Sequence, residues 1–362
     1  MPVTRLQRAP VSNPRPQVTV DGAGSPWLDE LLLGLDMREQ EGGLAALELR
    51  LSNVASLDEG GTTLAFEDER LIALGSRIAV ATGAQDESRE IFRGLVTGLE
   101  AEFPGDGPPE LVVLAEDALQ AARMSRRTQV HVDTSLGDLA RRVAECLGLR
   151  AEVSVLDDIV ATWVQLNESD LAFLRRLLRG RDADLQVNGD QLVVAPHSEI
   201  ARELIDMTLH EDLRRVRFVA DLAHQVTAVT SAGWNPQQGE TVSGRGEGRH
   251  LGPGQGRSGA QLLRQTLGGR VEHVGQVAVN SREEAQALAD AVFDRRARGF
   301  VTAEGSANGH PLIRAGCRLA LRGVGARFEN TYFVTATHHR YSVREGYMTD
   351  FRAECAWLGE PT

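Results

Sequence analysis

The chain's 362 residues suffice for two or three domains and a sizeable core, and its 42% hydrophobic and 25% charged content is that of an ordinary globular protein. A formal charge of −12 argues against nucleic-acid sequence recognition, which needs a basic face to displace counterions. Cys146, Cys317 and Cys355 lie far apart outside any Cys-x-x-Cys, no apolar run approaches a membrane span and the N-terminus lacks an apolar leader core, so reduced, mostly buried thiols and cytoplasmic synthesis without a signal peptide are expected.

Residues 1–25 are polar and Pro-rich and predict an N-terminal arm or edge strand. LAALELRLSNV then alternates, with Leu47, Leu49 and Leu51 on one side and Glu48, Arg50 and Ser52 on the other, the period of a half-buried strand. RIAVATG (77–83), IFRGLVTGLEAEF (91–103) and ELVVLAED (110–117) follow with short turns between them. Residues 26–117 therefore read as a first β-barrel-like domain.

The pattern changes at 118. DTSLGDLARRVAECLGL places Leu136, Leu139, Ala140, Val143, Cys146 and Leu147 on one helical face, with Ser135 and Asp138 as a capping box and Gly148 as a stop. QLNESDLAFLRRLLRG repeats the design, with Asn167 or Ser169 as cap and Gly180 as stop. DLQVNGDQLVVAP predicts a hairpin turning at Asn188-Gly189. Residues 118–200 thus form a small α+β domain.

Alternation returns over 205–234, and 201–362 reads as a second β-barrel-like domain. It carries a glycine-rich segment, 236–270, expected as a mobile loop, and a capped amphipathic helix over 281–298 with Ser281 at its start. The fold class expected is β-rich α+β, two related β-barrel-like, tube-type domains flanking a small α+β domain, with helical insertions. An internal repeat supports the relation: Gly75-Ser-Arg77-Ile-Ala-Val80 recurs as Gly316-Cys-Arg318-Leu-Ala-Leu321, each about 20 residues before a strand containing Val96-Thr97 or Val334-Thr335.

Few motifs point to chemistry. Gly254-Gln-Gly256-Arg-Ser-Gly259 matches GxGxxG, but no strand precedes it as a dinucleotide site requires. His338 and His339 are adjacent on a strand and so face opposite ways, which suits one packed and one surface ring better than a shared metal. Glu168 and Asp170 sit in a helix's first turn, where capping accounts for them. RMSRRTQVHV (123–132) reads as a solvated face or a contact for an acidic subunit rather than a phosphate site. No catalytic, cofactor-binding or metal residue is singled out. The candidate partner contact is the glycine-rich segment, with Gly244, Gly246, Gly248, Arg249, Gly254, Gly256 and Arg257.

QLNESDLAFLRRLL with DQLVV, and EEAQALADAVF, GHPLIRAGCRLALRG and FENTYFVTATHHRYSVREGYMTDFRAE, together resemble the late control gene D and VgrG-type hub proteins of contractile phage tails and contractile injection systems. The resemblance covers roughly 160–200 and 281–354; the N-terminal third matches only in pattern. It implies a homotrimeric, pseudo-sixfold ring at the baseplate centre that joins the inner tube protein to a spike, within a phage tail-like particle and in contact with other baseplate components. With FRAECAWLGEPT at the end of the sequence and no β-repeat spike after it, the resemblance implies a separate spike protein, and no wall-cutting activity is expected. An acid-lined lumen is a further expectation. Two other readings stay open: a LysM-like cell-wall binding module at 118–200, and a metal-dependent hydrolase using His310, His338 and His339.

Overall fold

A computed structural model describes residues 5–6, 15–56, 61–83, 88–200 and 202–360, and its fold is β-rich α+β. The first module uses six strands: β1 (Gln17–Val20), β2 (Leu32–Gln40), β3 (Ala46–Ser52), β4 (Arg77–Thr82), β5 (Arg89–Glu102) and β6 (Glu110–Glu116). They lie in the order β2-β3-β6-β5-β4-β1, every pair antiparallel. Alternation drives this arrangement. Leu47, Leu49 and Leu51 are buried with Leu35, Met37, Val80, Phe92 and Val113, whereas Asp36, Arg38, Glu48 and Arg50 point to the opposite face. β1 lies within the expected N-terminal arm, most of whose remainder falls outside the described residues. A short helix, α1 (Pro26–Leu31), capped by Ser25, adds Leu28 to the same core.

The α+β unit follows: α2 (Leu119–Met124), β7 (Arg126–Ser135), α3 (Leu136–Cys146), β8 (Arg150–Val153), β9 (Val160–Ser169), α4 (Asp170–Arg179), β10 (Ala183–Asn188) and β11 (Gln191–Pro196). The Ser135 and Ser169 hydroxyls accept from the Asp138 and Ala172 amides, so Ser169 and not Asn167 caps α4. Leu139, Leu171, Leu174 and Leu178 pack on Leu185 and Leu192. The hairpin turns one residue later than expected. Asn188 pairs with Gln191, leaving Gly189 and Asp190 as the loop, with positive φ at Gly189 alone.

The second module begins with β12 (Leu204–Thr208) and β13 (Leu213–Ala220). An insert then supplies β14 (Ala228–Asn235), β15 (Glu240–Gly246), α5 (Gly259–Thr266), β16 (Val271–Val274) and α6 (Arg282–Arg298). The segment 236–270 is therefore not a plain loop. Nor is α6 an ordinary amphipathic surface helix: it buries Leu288, Val292 and Phe293 and also Asp294 and Arg298, because it is covered from more than one side. β17 (Val301–Asn308), β18 (Arg318–Arg322), β19 (Asn330–Ser342) and β20 (Gly346–Cys355) complete the module.

Its six strands lie in the order β13-β17-β20-β19-β18-β12, the order of the first module read strand for strand. One pair differs: β12 runs parallel to β18, whereas β1 runs antiparallel to β4. The match reaches single residues. Gly75 and Gly316 have φ of +86° and +88°, a region that glycine enters without strain. Their amides donate to the Val96 and Val334 carbonyls, both at 2.8 Å, and the Val96 and Val334 amides donate back to Ser76 and Cys317, both at 2.9 Å. Thr97 and Thr335 are each the extra residue of a bulge, their hydroxyls donating to the carbonyls of Leu114 (3.4 Å) and Arg352 (3.2 Å). The first long strand of each module also skips one residue at the same place, between Leu32 and Gly34 and between Leu213 and Arg215.

Candidate assembly surfaces

The two modules share one sheet because β19 outgrows its neighbour. Asn330 to Phe333 pair with β18; past the Thr335 bulge the same edge pairs with β2, from Ala336 opposite Gln40 to Ser342 opposite Gly34. The buried face of this junction holds an ion pair between Glu39 and Arg314, with Arg202 at 3.7 Å. Burial raises the Glu39 carboxyl, but the two guanidiniums outweigh it and hold the group below its ordinary value. His339 lies beside them, its Nδ1 accepting from the Tyr347 hydroxyl at 2.7 Å. Burial, reinforced by Arg314, lowers its pKa to about 3.

On the polar face, His338 is hydrogen-bonded to Asp36, and Arg340 donates to Asp350 at 2.9 Å. Arg352 pairs with Glu304, and Arg50 reaches Glu48 (3.2 Å), Glu102 (3.4 Å) and Glu110 (3.6 Å). An open groove of about 700 Å³ runs along this face, lined by Arg38, Arg215, Arg217, Glu304, His338 and Arg352 among others. His338 and His339 therefore serve opposite sides of one sheet. His310 is separate from both rings' bonds: its Nδ1 accepts from the Leu312 amide at 3.3 Å, and burial lowers its pKa. Among the described residues no group of three or more His, Cys, Asp or Glu is placed to hold a metal, and no helix is long and apolar enough to cross a membrane. The thiols are free; Cys317 and Cys355 are buried as expected, but Cys146 is exposed, because α3 turns Leu136, Leu139, Ala140 and Ala144 inward rather than Cys146.

A second buried network ties the α+β unit to both modules. Arg298 of α6 pairs with Asp182 and, at 2.7 Å, with Glu354 of β20. His197 donates from Nε2 to Glu41 and from Nδ1 to the Asp182 carbonyl at 2.8 Å. Burial opposes charge on His197, yet the bond to Glu41 and the nearby Asp182 carry its pKa up to about 9.

The glycines of the expected contact loop are packed against neighbouring elements. A Cβ at Gly244 would lie 2.4 Å from the Ala285 backbone of α6, and one at Gly246 the same distance from Ala289. The strand β15 lies flat on the helix because both positions lack side chains. The backbone amides of Arg249 and His250 donate to the Asp294 carboxylate at 3.0 and 2.9 Å, with Gly248 at φ +107° leading into them. Gly254 (φ +105°) lies against Asn330, Cys355 and Trp357, while Gly256 (φ +128°) leaves no room for a Cβ beside the Leu358 carbonyl. Arg257 pairs with Leu358, and Ser258 caps α5 through a capping box with Gln261. Glycine composition alone does not separate a flexible segment from one that hugs its neighbour.

The sequence did not single out two strand edges that the structure leaves open. Beyond Thr97, the outer edge of β5 has no strand partner among the described residues; neither has the outer edge of β13. Leu99 (38% exposed), Phe103 (64%) and Val219 (40%) stand along them. The signal was present in LEAEF, where alternation continues past the point at which β4 ends.

A family model for the Alg8 N-terminal domain (Alg8_N) matches residues 54–343. No curated protein matches the sequence. Solved structures share the fold across nearly the whole chain. The 43 kDa tail protein of prophage MuSo2 from Shewanella oneidensis is 11% identical, with 94% of this chain and 98% of that chain covered and a TM-score of 0.66. The tail protein from Neisseria meningitidis MC58 is 12% identical over 96% and 98%, with a TM-score of 0.65. The E. coli c3393 protein, a component of the type VI secretion system with structural similarity to the T4 bacteriophage tail proteins gp27 and gp5, is 12% identical over 95% and 79%, with a TM-score of 0.59. At these identities the likeness is one of fold.

Proposed function

The chain belongs to the Alg8 N-terminal domain family, and from its duplicated module we propose that it is a structural hub of the gene D and VgrG class in the baseplate of a phage tail-like contractile injection particle. In this reading three copies close into a ring of six like modules. The ring joins the inner tube to a spike and carries other baseplate components on its outside. The observation that supports it most is the duplicated six-strand module, matched in strand order, bulges and glycine turns, with its two copies already joined edge to edge by β19 and β2. The tail-protein and secretion-protein fold of the structural relatives supports the same reading.

The polar face of the shared sheet would line the lumen. Arg50, Arg340 and Arg352 are each matched there by carboxylates, so such a wall would carry both signs. A wall whose charges are already paired offers a passing polymer little to grip. Native mass spectrometry and averaged electron micrographs of the purified protein test the reading. The expected result is three times the 39.3 kDa chain mass and a ring with six-lobed inner density. A chain that remains single at every concentration overturns it.

A further inference from the structure

The internal junction states how one module grips the next. Past its bulge, β19 offers a free edge; β2, the first long strand of the other module, pairs with it antiparallel. By the correspondence of bulges and registers, the part of β5 beyond Thr97 is the counterpart of the part of β19 beyond Thr335. By the same logic β13 is the counterpart of β2. Among the described residues of one chain, both counterparts are unpaired edges. A donor edge and an acceptor edge on opposite modules form a heterologous contact, which a second copy of this chain can satisfy.

We propose that copies join through β5 of one and β13 of the next, in the register of the β19·β2 junction. Resting on the ring reading above, this names its seam. Transferring the register residue by residue puts Gly98 opposite Asp221 of the partner subunit, Leu99 opposite the partner's Ala220 and Glu102 opposite the partner's Arg217.

Three features of the chain fit this placement. Arg340 stands opposite Asp36 at the internal junction; at the seam Glu102 stands opposite the partner's Arg217, the same complementarity with the signs exchanged. Tyr341 stands opposite Leu35 and packs on the first module's core; its counterpart Phe103, 64% exposed in the single chain, stands opposite the partner's Val216 at the edge of the second module's core. Leu99 and Val219, also exposed, come under the seam. Open, apolar-studded strand edges are aggregation hazards unless something pairs with them, and here the shape that pairs is already built into the chain.

A charge-reversal cycle read by native mass spectrometry and sedimentation tests the seam. Glu102→Arg and Arg217→Glu, both at exposed positions, each weaken self-association about tenfold or more, and the double variant regains the wild-type mass. In a Cys146→Ser background, Leu99→Cys with Ala220→Cys gives reducible covalent dimers and trimers on oxidation. If the wild type is trimeric but both single variants stay trimeric and no cross-link forms, the seam is elsewhere and the ring reading stands. If the wild type is a single chain, both fall.

Discussion

His338 and His339 are neighbours in sequence and strangers in environment. His338 meets Asp36 on the polar face; His339 is enclosed with Tyr347 and Arg314. The alternation of a strand made their divergence legible. It could not say which ring is buried, because that depends on Arg314, which comes to Glu39 from 275 residues away. The consequence is acid sensitivity. The folded pKa of His339 is about 3 against an ordinary 6.5, so the unfolded chain takes up the proton first. Its full contribution is present above pH 6.5 and is lost as pH falls toward 3. The variant His339→Gln starts less stable but loses less melting temperature over that window than the wild type, as Tm measured against pH records. His197 has the opposite sign. Its pKa is raised to about 9, so its contribution is complete below pH 6.5 and disappears as pH rises through 9. Replacing it by glutamine costs about 1–3 kcal/mol at the acid end of that range, and urea titrations show the difference closing toward the alkaline end.

Elements were legible wherever one face is buried and the other wet. β3 and β5 announced themselves by alternation, and α3 and α4 by their serine caps and glycine stops. The insert did not. β15 spends two of its positions on glycine so that α6 can approach, and α6 is covered on several sides, which erases the stripe that periodicity detects. The same contact yields a sharp expectation. Gly246→Val drives a side chain into the Ala289 backbone and destabilises the protein by about 3 kcal/mol, whereas Gly239→Ala, in open space at φ +68°, costs about 1 kcal/mol. Thermal melts of the two variants side by side check both, and comparable losses would contradict the close-packed account of β15.

At the scale of the whole molecule, the duplication was visible in two short stretches beginning at Gly75 and Gly316, which survive because backbone geometry demands them. Of the paired bulges only the Val-Thr pairs at Val96-Thr97 and Val334-Thr335 left a trace in residue identity, and the shared strand order left none along the paired strands: Leu35 and Leu49 correspond to Val216 and Gly305. The cement between the halves was equally hidden, since Glu39 and Arg314 form a pair only once the modules have met. Glu39→Ala leaves Arg314 buried without its partner and costs about 3–5 kcal/mol, measured by urea unfolding, with the Glu39→Gln variant separating charge from shape. That internal weld has an arithmetic consequence. Because one junction in every two is covalently preassembled, a ring grown from this chain always has an even number of walls. Six walls close through three collisions instead of six. The insert between β13 and β17, present in one half only, then marks every second wall, so the outside of such a ring counts to three while its inside counts to six.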